Sequence, residues 1–300
     1  MKILVIGKNG FISTSFQEYM KRYPEIKVDA ISARGDGWKD YSFSDYDAIY
    51  NATGLAHNDA RMGTDEQFMA LNRDLPIALA KKAKEEGVKT FINMSSMIVY
   101  GEMSELGSCE RITAKTEPRP AGIYGKSKLA GENGLLLLSE DRFHVAIIRS
   151  PLVYSENAVD NFLKLTEYAV KYPIFPNIVN ARSMIYADNL CELVKLIAEN
   201  NGVGIYYPQQ DEYICTSKIV KDVATAVGHK IILTKVFNPI LFWISKRKVF
   251  IRKVFGSLAY DMKESNCFGG CYRVVSYEES IERLAKGKKA KYENSSIFSK

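Results

Sequence analysis

Long apolar runs, paired cysteines and a concentrated basic face are all missing from this 300-residue sequence. Met1 to Gly7 enter an apolar stretch at once, but it is too short for a signal-peptide core or a membrane span. The expectation is therefore a chain that folds from residue 2 and works in the cytoplasm. Cysteine occurs five times, as Cys109, Cys191, Cys215, Cys267 and Cys271. An odd count in a long chain argues against a disulfide framework and for a reducing compartment. Cys267-Phe-Gly-Gly-Cys271 lacks a second pair and a neighbouring histidine, so no metal is expected. The formal charge is +6, with concentrations of cations only between Lys246 and Lys253 and at the C-terminus. That distribution lacks the basic face of a nucleic-acid binder, so none is expected as a partner. A mild positive bias still suits an anionic small substrate.

What is present is an ordinary globular composition, 46% apolar and 25% charged, long enough for one large domain or two unequal ones. Short apolar runs at Lys2 to Ile6, Val28 to Ile31, Ala48 to Ala52, Thr90 to Met94 and Val145 to Arg149 read as buried strands. Between them Leu75 to Glu86 and Gly125 to Ser139 carry helical spacing. The alternation predicts an α/β fold, a Rossmann-type doubly wound parallel sheet. Between Arg34 and Tyr46 there is room only for a loop or a stub strand, so one crossover is shortened. After about residue 154, Pro173, Pro176, Pro208 and Pro239 break the pattern, which predicts a smaller C-terminal substrate-binding lobe. The expected division is a dinucleotide-binding domain over 1–155 and 184–205, a substrate lobe over 156–183 and 206–290, and a polar tail over 291–300.

Gly7-Lys-Asn-Gly10-Phe-Ile-Ser13 follows the first strand and opens a helix, the context a phosphate-cradling turn requires. Gly7 permits the tight turn, Gly10 lets backbone approach a pyrophosphate, and the helix aims its N-terminal N–H groups at the anion. Asn9, Phe11 and Ile12 fall in the same turn and are candidate cofactor contacts. At the end of the second strand, an acidic side chain accepts from a ribose 2′-OH and a basic one pairs with a 2′-phosphate. The positions there are Ser32 and Arg34, which favour NADP(H) and leave NAD(H) open; Asp29 stands too early in the strand.

Tyr124 and Lys128, at i and i+4, project from one face of a helix. An ammonium beside a phenol favours the phenolate, and such a phenol can exchange a proton with a substrate hydroxyl or ketone near neutral pH. Ser96, at the end of its strand, can hydrogen-bond the same oxygen and steady a developing alkoxide. Ser96, Tyr124 and Lys128 are thus the candidate catalytic residues.

Asn93-Met-Ser95-Ser96-Met-Ile-Val-Tyr100-Gly101 and Tyr124-Gly-Lys-Ser-Lys128, taken with the glycine turn, resemble the extended short-chain dehydrogenases, the NAD(P)-dependent epimerase/dehydratase family. The similarity runs over most of residues 1 to 200 and includes Asn51-Ala-Thr-Gly54, Asn72, Arg149-Ser-Pro-Leu-Val-Tyr154 and Arg182-Ser-Met-Ile-Tyr-Ala-Asp188. The resemblance implies that Ala52, Thr53 and Gly54 line the cofactor pyrophosphate and that Asn72 supports the active-site strand. It implies further that Lys128 reaches the nicotinamide ribose, that Pro151 and Val153 contact the carboxamide, and that Asn161 and Arg182 face a nucleotide sugar. A homodimer, paired through the helices carrying Leu75 to Glu86 and Tyr124, is implied in the same way.

Dehydratases of that family carry Asp-Glu directly after the catalytic Ser or Thr, whereas this chain has Met97 and Ile98. That departure leaves a 4-ketoreductase reducing a UDP-4-keto-hexose with NADPH for surface polysaccharide, and a UDP-sugar 4-epimerase holding NAD. A non-catalytic NADPH-sensing protein is a third reading. Residues 236–258 contain no acidic residue and mix aromatics with cations. They could present Arg252 to the sugar diphosphate or lie on an anionic membrane.

Overall fold

The structure, a computed structural model, describes residues 1–55, 63–108, 110–158 and 161–297, with backbone alone at 161, 163 and 288–297. Cys109 lies outside the described residues. The first half runs β1 (Lys2–Ile6), α1 (Phe11–Met20), β2 (Lys27–Ile31), α2 (Gly37–Asp40), β3 (Ala48–Asn51), α3 (Asp65–Met69), α4 (Leu75–Glu85), β4 (Thr90–Ser96), β5 (Arg111–Ile112), α5 (Ile123–Leu136) and β6 (His144–Ser150). The second half runs β7 (Leu152–Tyr154), α6 (Asn161–Lys171), β8 (Ile174–Pro176), β9 (Met184–Tyr186), α7 (Ala187–Glu199), β10 (Gly204–Tyr206), α8 (Thr216–Val227), β11 (Ile232–Thr234), α9 (Asn238–Ser245), α10 (Val249–Phe255), β12 (Ala259–Tyr260) and α11 (Tyr277–Ile297).

Six strands form one sheet in the order β10-β6-β4-β3-β1-β2, and every pairing in it is parallel. The strands are apolar at successive positions because helices cover both faces. Ile3, Val5, Tyr50, Ile92 and Ile148 pack on one side with Phe16 of α1 and Leu190, Leu193 and Val194 of α7. Their neighbours Leu4, Ile6, Ile49, Phe91 and Ile147 pack on the other with Leu79 of α4 and Leu135 of α5. The expected doubly wound sheet is thus present, and the strand order reverses beside β1, which opens a crevice at the carboxyl ends of β1 and β3.

The shortened crossover takes a definite form. Between β2 and β3 only the single turn α2 is helical, and Trp38 and Phe43 are buried against the sheet where a longer helix would otherwise lie. β2 is consequently an edge strand, half exposed along its length. A second core of Tyr154, Phe175, Ile219, Val223, Phe255, Tyr277 and Ile281 gathers α6, α8, α10 and α11 into the smaller lobe. Residues 291–297, expected as part of a polar tail, continue α11 as helix.

One tight seam fixes α5, the helix that bears the tyrosine and lysine. A Cβ at Gly131 would stand 2.2 Å from the Asn72 carbonyl oxygen, so the backbone of the π-helical turn Ala70–Asp74 can approach α5 only at glycine. Gly131→Ala must push these elements apart and is expected to lower stability by ~1–3 kcal/mol. A thermal melt reads this, and an unchanged midpoint would show the seam to be loose.

Candidate active site

The helix α5 departs from the expected amphipathic pattern. The face it buries holds Ser127, Lys128 and Glu132 beside Gly131 and Leu135, a polar stripe rather than an apolar one. Each polar group on it has a partner on a neighbouring strand or loop, which is what permits the burial. Lys128 Nζ donates to the Met94 carbonyl at 2.9 Å and to the Thr53 carbonyl at 3.5 Å, bridging the ends of β4 and β3. Glu132 accepts from Arg149 Nε at 3.0 Å and Nη2 at 2.7 Å, and from the Ser95 hydroxyl. Arg149 in turn donates to Tyr100 Oη at 2.6 Å.

Lys128 is a buried cation. Burial pulls its pKa down to about 8, and the carboxylate of Glu132 one turn along pulls it partly back. Its direct partners are carbonyl oxygens, which stabilise an ammonium without neutralising it.

Gly54 makes this approach possible. Its φ is +145°, and a Cβ there would lie 2.7 Å from Lys128 Nζ and 2.6 Å from Asn72 Oδ1. Asn72, expected to support the active-site strand, holds this loop instead: it accepts from Leu55 N at 3.0 Å and donates to the Leu55 carbonyl at 3.2 Å and to Ser127 Oγ at 3.0 Å. Its side chain is spent on tying the loop to α5. Asn51 does similar work, donating to Asn93 Oδ1 at 2.8 Å and accepting from Thr53.

The glycine turn has the geometry its spacing predicts. Gly7 sits at φ +112°, and a Cβ on it would meet Thr53 and Ala52 at 3.1 to 3.4 Å. Gly10 caps α1 with extended backbone, a Cβ on it would meet only the Gly7 carbonyl oxygen at 3.7 Å, and a phosphate could approach the first-turn N–H groups of Phe11 and Ile12. Asn9 is exposed beside it, and Ser13 is fully buried where α1 meets the sheet. Gly7 and Lys8 N–H groups both donate to the Ile31 carbonyl, which draws the end of β2 to the turn. There Ser32 and Arg34 are exposed, with Ser32 Oγ accepting from Arg34 N at 3.1 Å. Asp29 is engaged elsewhere, by Tyr46 Oη at 2.8 Å and Lys2 at 3.6 Å.

Ser96, Tyr124, Pro151 and Arg182 come together around one cavity of about 350 Å³, with Met97 and Ile98 in its wall. Ser96 Oγ accepts from Ile98 N at 3.3 Å, which leaves its hydrogen to be donated. Arg182 reaches the cavity from the strand-like segment before β9. Its Nη1 lies 3.5 Å from the Val254 carbonyl, its buried Nε has no hydrogen-bond partner, and it has no carboxylate partner among the described residues. Burial lowers its pKa to about 10. A guanidinium in that condition has donors left over that could receive an anion.

Other expected positions fall elsewhere. Val153 packs into the sheet core, and the side chain of Asn161 lies outside the described residues. Arg252 donates to the Ser245 carbonyl at 3.2 Å and stands 3.8 Å from Glu102, while its neighbour Lys253 is the cation of α10 that lines the cavity. Sequence reasoning missed Lys253, Glu102 and the Glu132–Arg149 pair. Glu132 had a signal, because it follows Lys128 by four residues on the same helix face. Among the described residues no group of three or more His, Cys, Asp or Glu side chains is placed to hold a metal.

A parallel sheet with its strand-order reversal at a glycine turn, and a serine, tyrosine and lysine gathered at its carboxyl ends, define an extended short-chain dehydrogenase. The model of the NAD dependent epimerase/dehydratase family matches residues 3–207, and the chain belongs to that family. It is similar to the UDP-glucose 4-epimerase of Vibrio cholerae, 26% identical over 251 residues that cover 75% of each chain. It is also similar to the low-salt glycan biosynthesis protein Agl12 of Haloferax volcanii, 22% identical over 69% of this chain and 76% of that one. Among solved structures, UDP-glucuronic acid 4-epimerase from Bacillus cereus superposes with a TM-score of 0.72 at 18% identity, covering 97% of this chain and all (100%) of that one. A dTDP-4-dehydrorhamnose reductase from Clostridium acetobutylicum gives 0.70 at 16% identity over 97% of this chain and 100% of that one. The protein is an NAD(P)-dependent enzyme of the nucleotide-sugar epimerase, dehydratase and reductase group.

The depressed pKa of Lys128 gives a signed expectation. Its folded value, about 8, lies below the unfolded lysine value of 10.5, so the unfolded chain holds the proton longer and stability rises between those two values. Lys128→Met removes the buried charge and is expected to abolish turnover while raising stability at pH 7, by up to ~3 kcal/mol. Urea unfolding at pH 7 and pH 10 should show this gap narrowing as pH rises; a constant gap would mean the ammonium is not desolvated.

Proposed function

We propose that the protein transfers a hydride at C4 of a nucleotide-activated sugar, running as an NADPH-consuming reduction of a UDP-4-keto-hexose in surface-polysaccharide assembly. The observation that carries the substrate class is Arg182, a buried guanidinium with an unpartnered Nε in the wall of the cavity that Ser96 and Tyr124 also line. A sugar diphosphate supplies the anion this side chain lacks. For the direction, the support is the end of β2, where Ser32 and Arg34 are exposed and Asp29 is held by Lys2 and Tyr46. Among the described residues the carboxylate of β2, Asp29, is thus engaged away from a ribose 2′-OH, and a 2′-phosphate would find Arg34.

The residues around the glycine turn fit a dinucleotide, with Gly7, Gly10 and Gly54 beside its pyrophosphate and Pro151 and Lys128 toward its nicotinamide end. When bound, the nicotinamide supplies the hydride. Tyr124 gives its phenolic proton to the carbonyl oxygen as the carbinol forms. Ser96 donates to the same oxygen, since its own lone pair already accepts from Ile98 N. The Lys128 ammonium, fixed by the Met94 and Thr53 carbonyls, stabilises the phenolate left behind. Met97 and Ile98 carry no proton, which sets this wall apart from that of a dehydratase. Cytoplasmic location and pairing of two copies through α4 and α5 belong to the same proposal.

A 4-epimerase is the second reading, favoured by the similarity to the Vibrio cholerae enzyme. Incubation with NADPH and a UDP-4-keto-6-deoxy sugar separates them. Net NADPH oxidation, faster than with NADH, supports reduction; interconversion of UDP-sugars without net oxidation supports epimerisation. Tyr124→Phe is expected to lower kcat by ~100-fold or more with cofactor affinity unchanged. Retained turnover in that variant would remove Tyr124 from the chemistry.

Arg182→Met keeps the side-chain volume and removes the charge. It is expected to raise KM for the nucleotide sugar by ~10-fold or more while kcat holds and the melting midpoint does not fall, since a desolvated charge is removed. A kcat loss with unchanged KM would place Arg182 away from the diphosphate.

A further inference from the structure

The pair α9–α10 is amphipathic in an unusual sense, because its outward side is both apolar and cationic. Leu241, Ile251 and Val254 face inward and pack on the core of the smaller lobe. Outward, Val236, Trp243 and Phe250 are 79%, 62% and 69% exposed, and Phe237, Ile240 and Phe242 are exposed beside them. Lys246, Arg247 and Lys248 form the exposed turn between the two helices, and Lys253 is exposed on α10. From residue 223 to 260 there is no aspartate or glutamate. Soluble proteins seldom expose so many large apolar side chains in one place without a surface to cover them.

We propose that α9–α10 docks the enzyme on an anionic lipid bilayer, with the aromatic side chains in the headgroup boundary and the cations on lipid phosphates. Two observations favour a membrane over a protein partner. The apolar side chains are interleaved with cations and the segment itself carries no acid, the carboxylate beside it being Glu102 at the cavity, 3.8 Å from Arg252, which matches an anionic surface that is also greasy. Trp243, with Arg247 over its ring at 5.5 Å, combines an amphipathic indole with a phosphate-binding cation. The described helices include none long and apolar enough to cross a membrane. Docking has a consequence for the site. Lys253 and Val254 of the same helix line the catalytic cavity, so the cavity is held close to the lipid surface.

This inference stands apart from the assignment of the reaction. The experiment uses the full chain with vesicles of phosphatidylglycerol and phosphatidylcholine in equal parts, and with phosphatidylcholine alone. Co-sedimentation is expected with the mixed vesicles at low salt, falling several-fold with phosphatidylcholine alone or at high salt. The chain has only two tryptophans, and Trp38 is buried. A Trp38→Phe variant should therefore show a blue shift of Trp243 emission on mixing. The double variant Trp243→Ser, Phe250→Ser touches neither cavity nor core and is expected to lose vesicle binding while its melting midpoint and its turnover of soluble substrate stay unchanged. No sedimentation with mixed vesicles at low salt overturns the proposal. So does binding that survives the double variant, or a concentration-dependent dimer that the double variant dissolves, which would make a second copy the occupant.

Discussion

A lysine ammonium taken out of water beneath a glycine loop is the constraint around which the rest of this site is arranged. Lys128 can be buried because the carbonyls of Met94 and Thr53 receive it, because Gly54 has no side chain to stand in its way, and because Glu132 supplies negative charge one turn along. Each condition recruits another part of the chain. The loop at Gly54 and Leu55 is held by Asn72, Asn72 is placed by a π-helical turn, and that turn can approach α5 only at Gly131. Glu132 is itself affordable only through Arg149 and Ser95. A buried ion pair of this kind contributes little net stability, but it makes the position of α5 costly to alter.

The second lobe contributes a different kind of strain. Arg182 sits where two bridges fix its backbone, to Ile214 and to Leu258, so its guanidinium is delivered into the cavity whether or not an anion is there. The sheet and the lobe therefore contribute different groups: α5 and β4 carry Tyr124, Lys128 and Ser96, and the segment before β9 with α10 brings the cations Arg182 and Lys253 to the cavity. Lys128 and Arg182 are both desolvated, and both have their pKa pulled down by it.

Much of this was legible in the sequence, because the signals are local. Strand positions followed from runs such as Lys2 to Ile6, and the glycine turn followed from spacing that only a strand-turn-helix requires. Tyr124 and Lys128 followed from helical geometry, and the short crossover between Arg34 and Tyr46 from chain length. The misses are non-local. Choosing Arg252 over Lys253 required knowing the rotation of α10 about its axis, and a run of cations with no clear apolar period does not encode it. Asn72 was assigned to the strand, whereas its partners lie in the loop at Leu55 and on α5.

The sequence by itself determined the class of fold and singled out the serine, tyrosine and lysine as candidates, because alternation, spacing and helical periodicity act over a few residues. Only the tertiary structure decided that the buried face of α5 is polar, that Arg182 has an unpartnered Nε at the cavity, and that α9–α10 turns its aromatics outward. Those three depend on what stands opposite each side chain, and burial is a property of pairs of surfaces that no single segment contains.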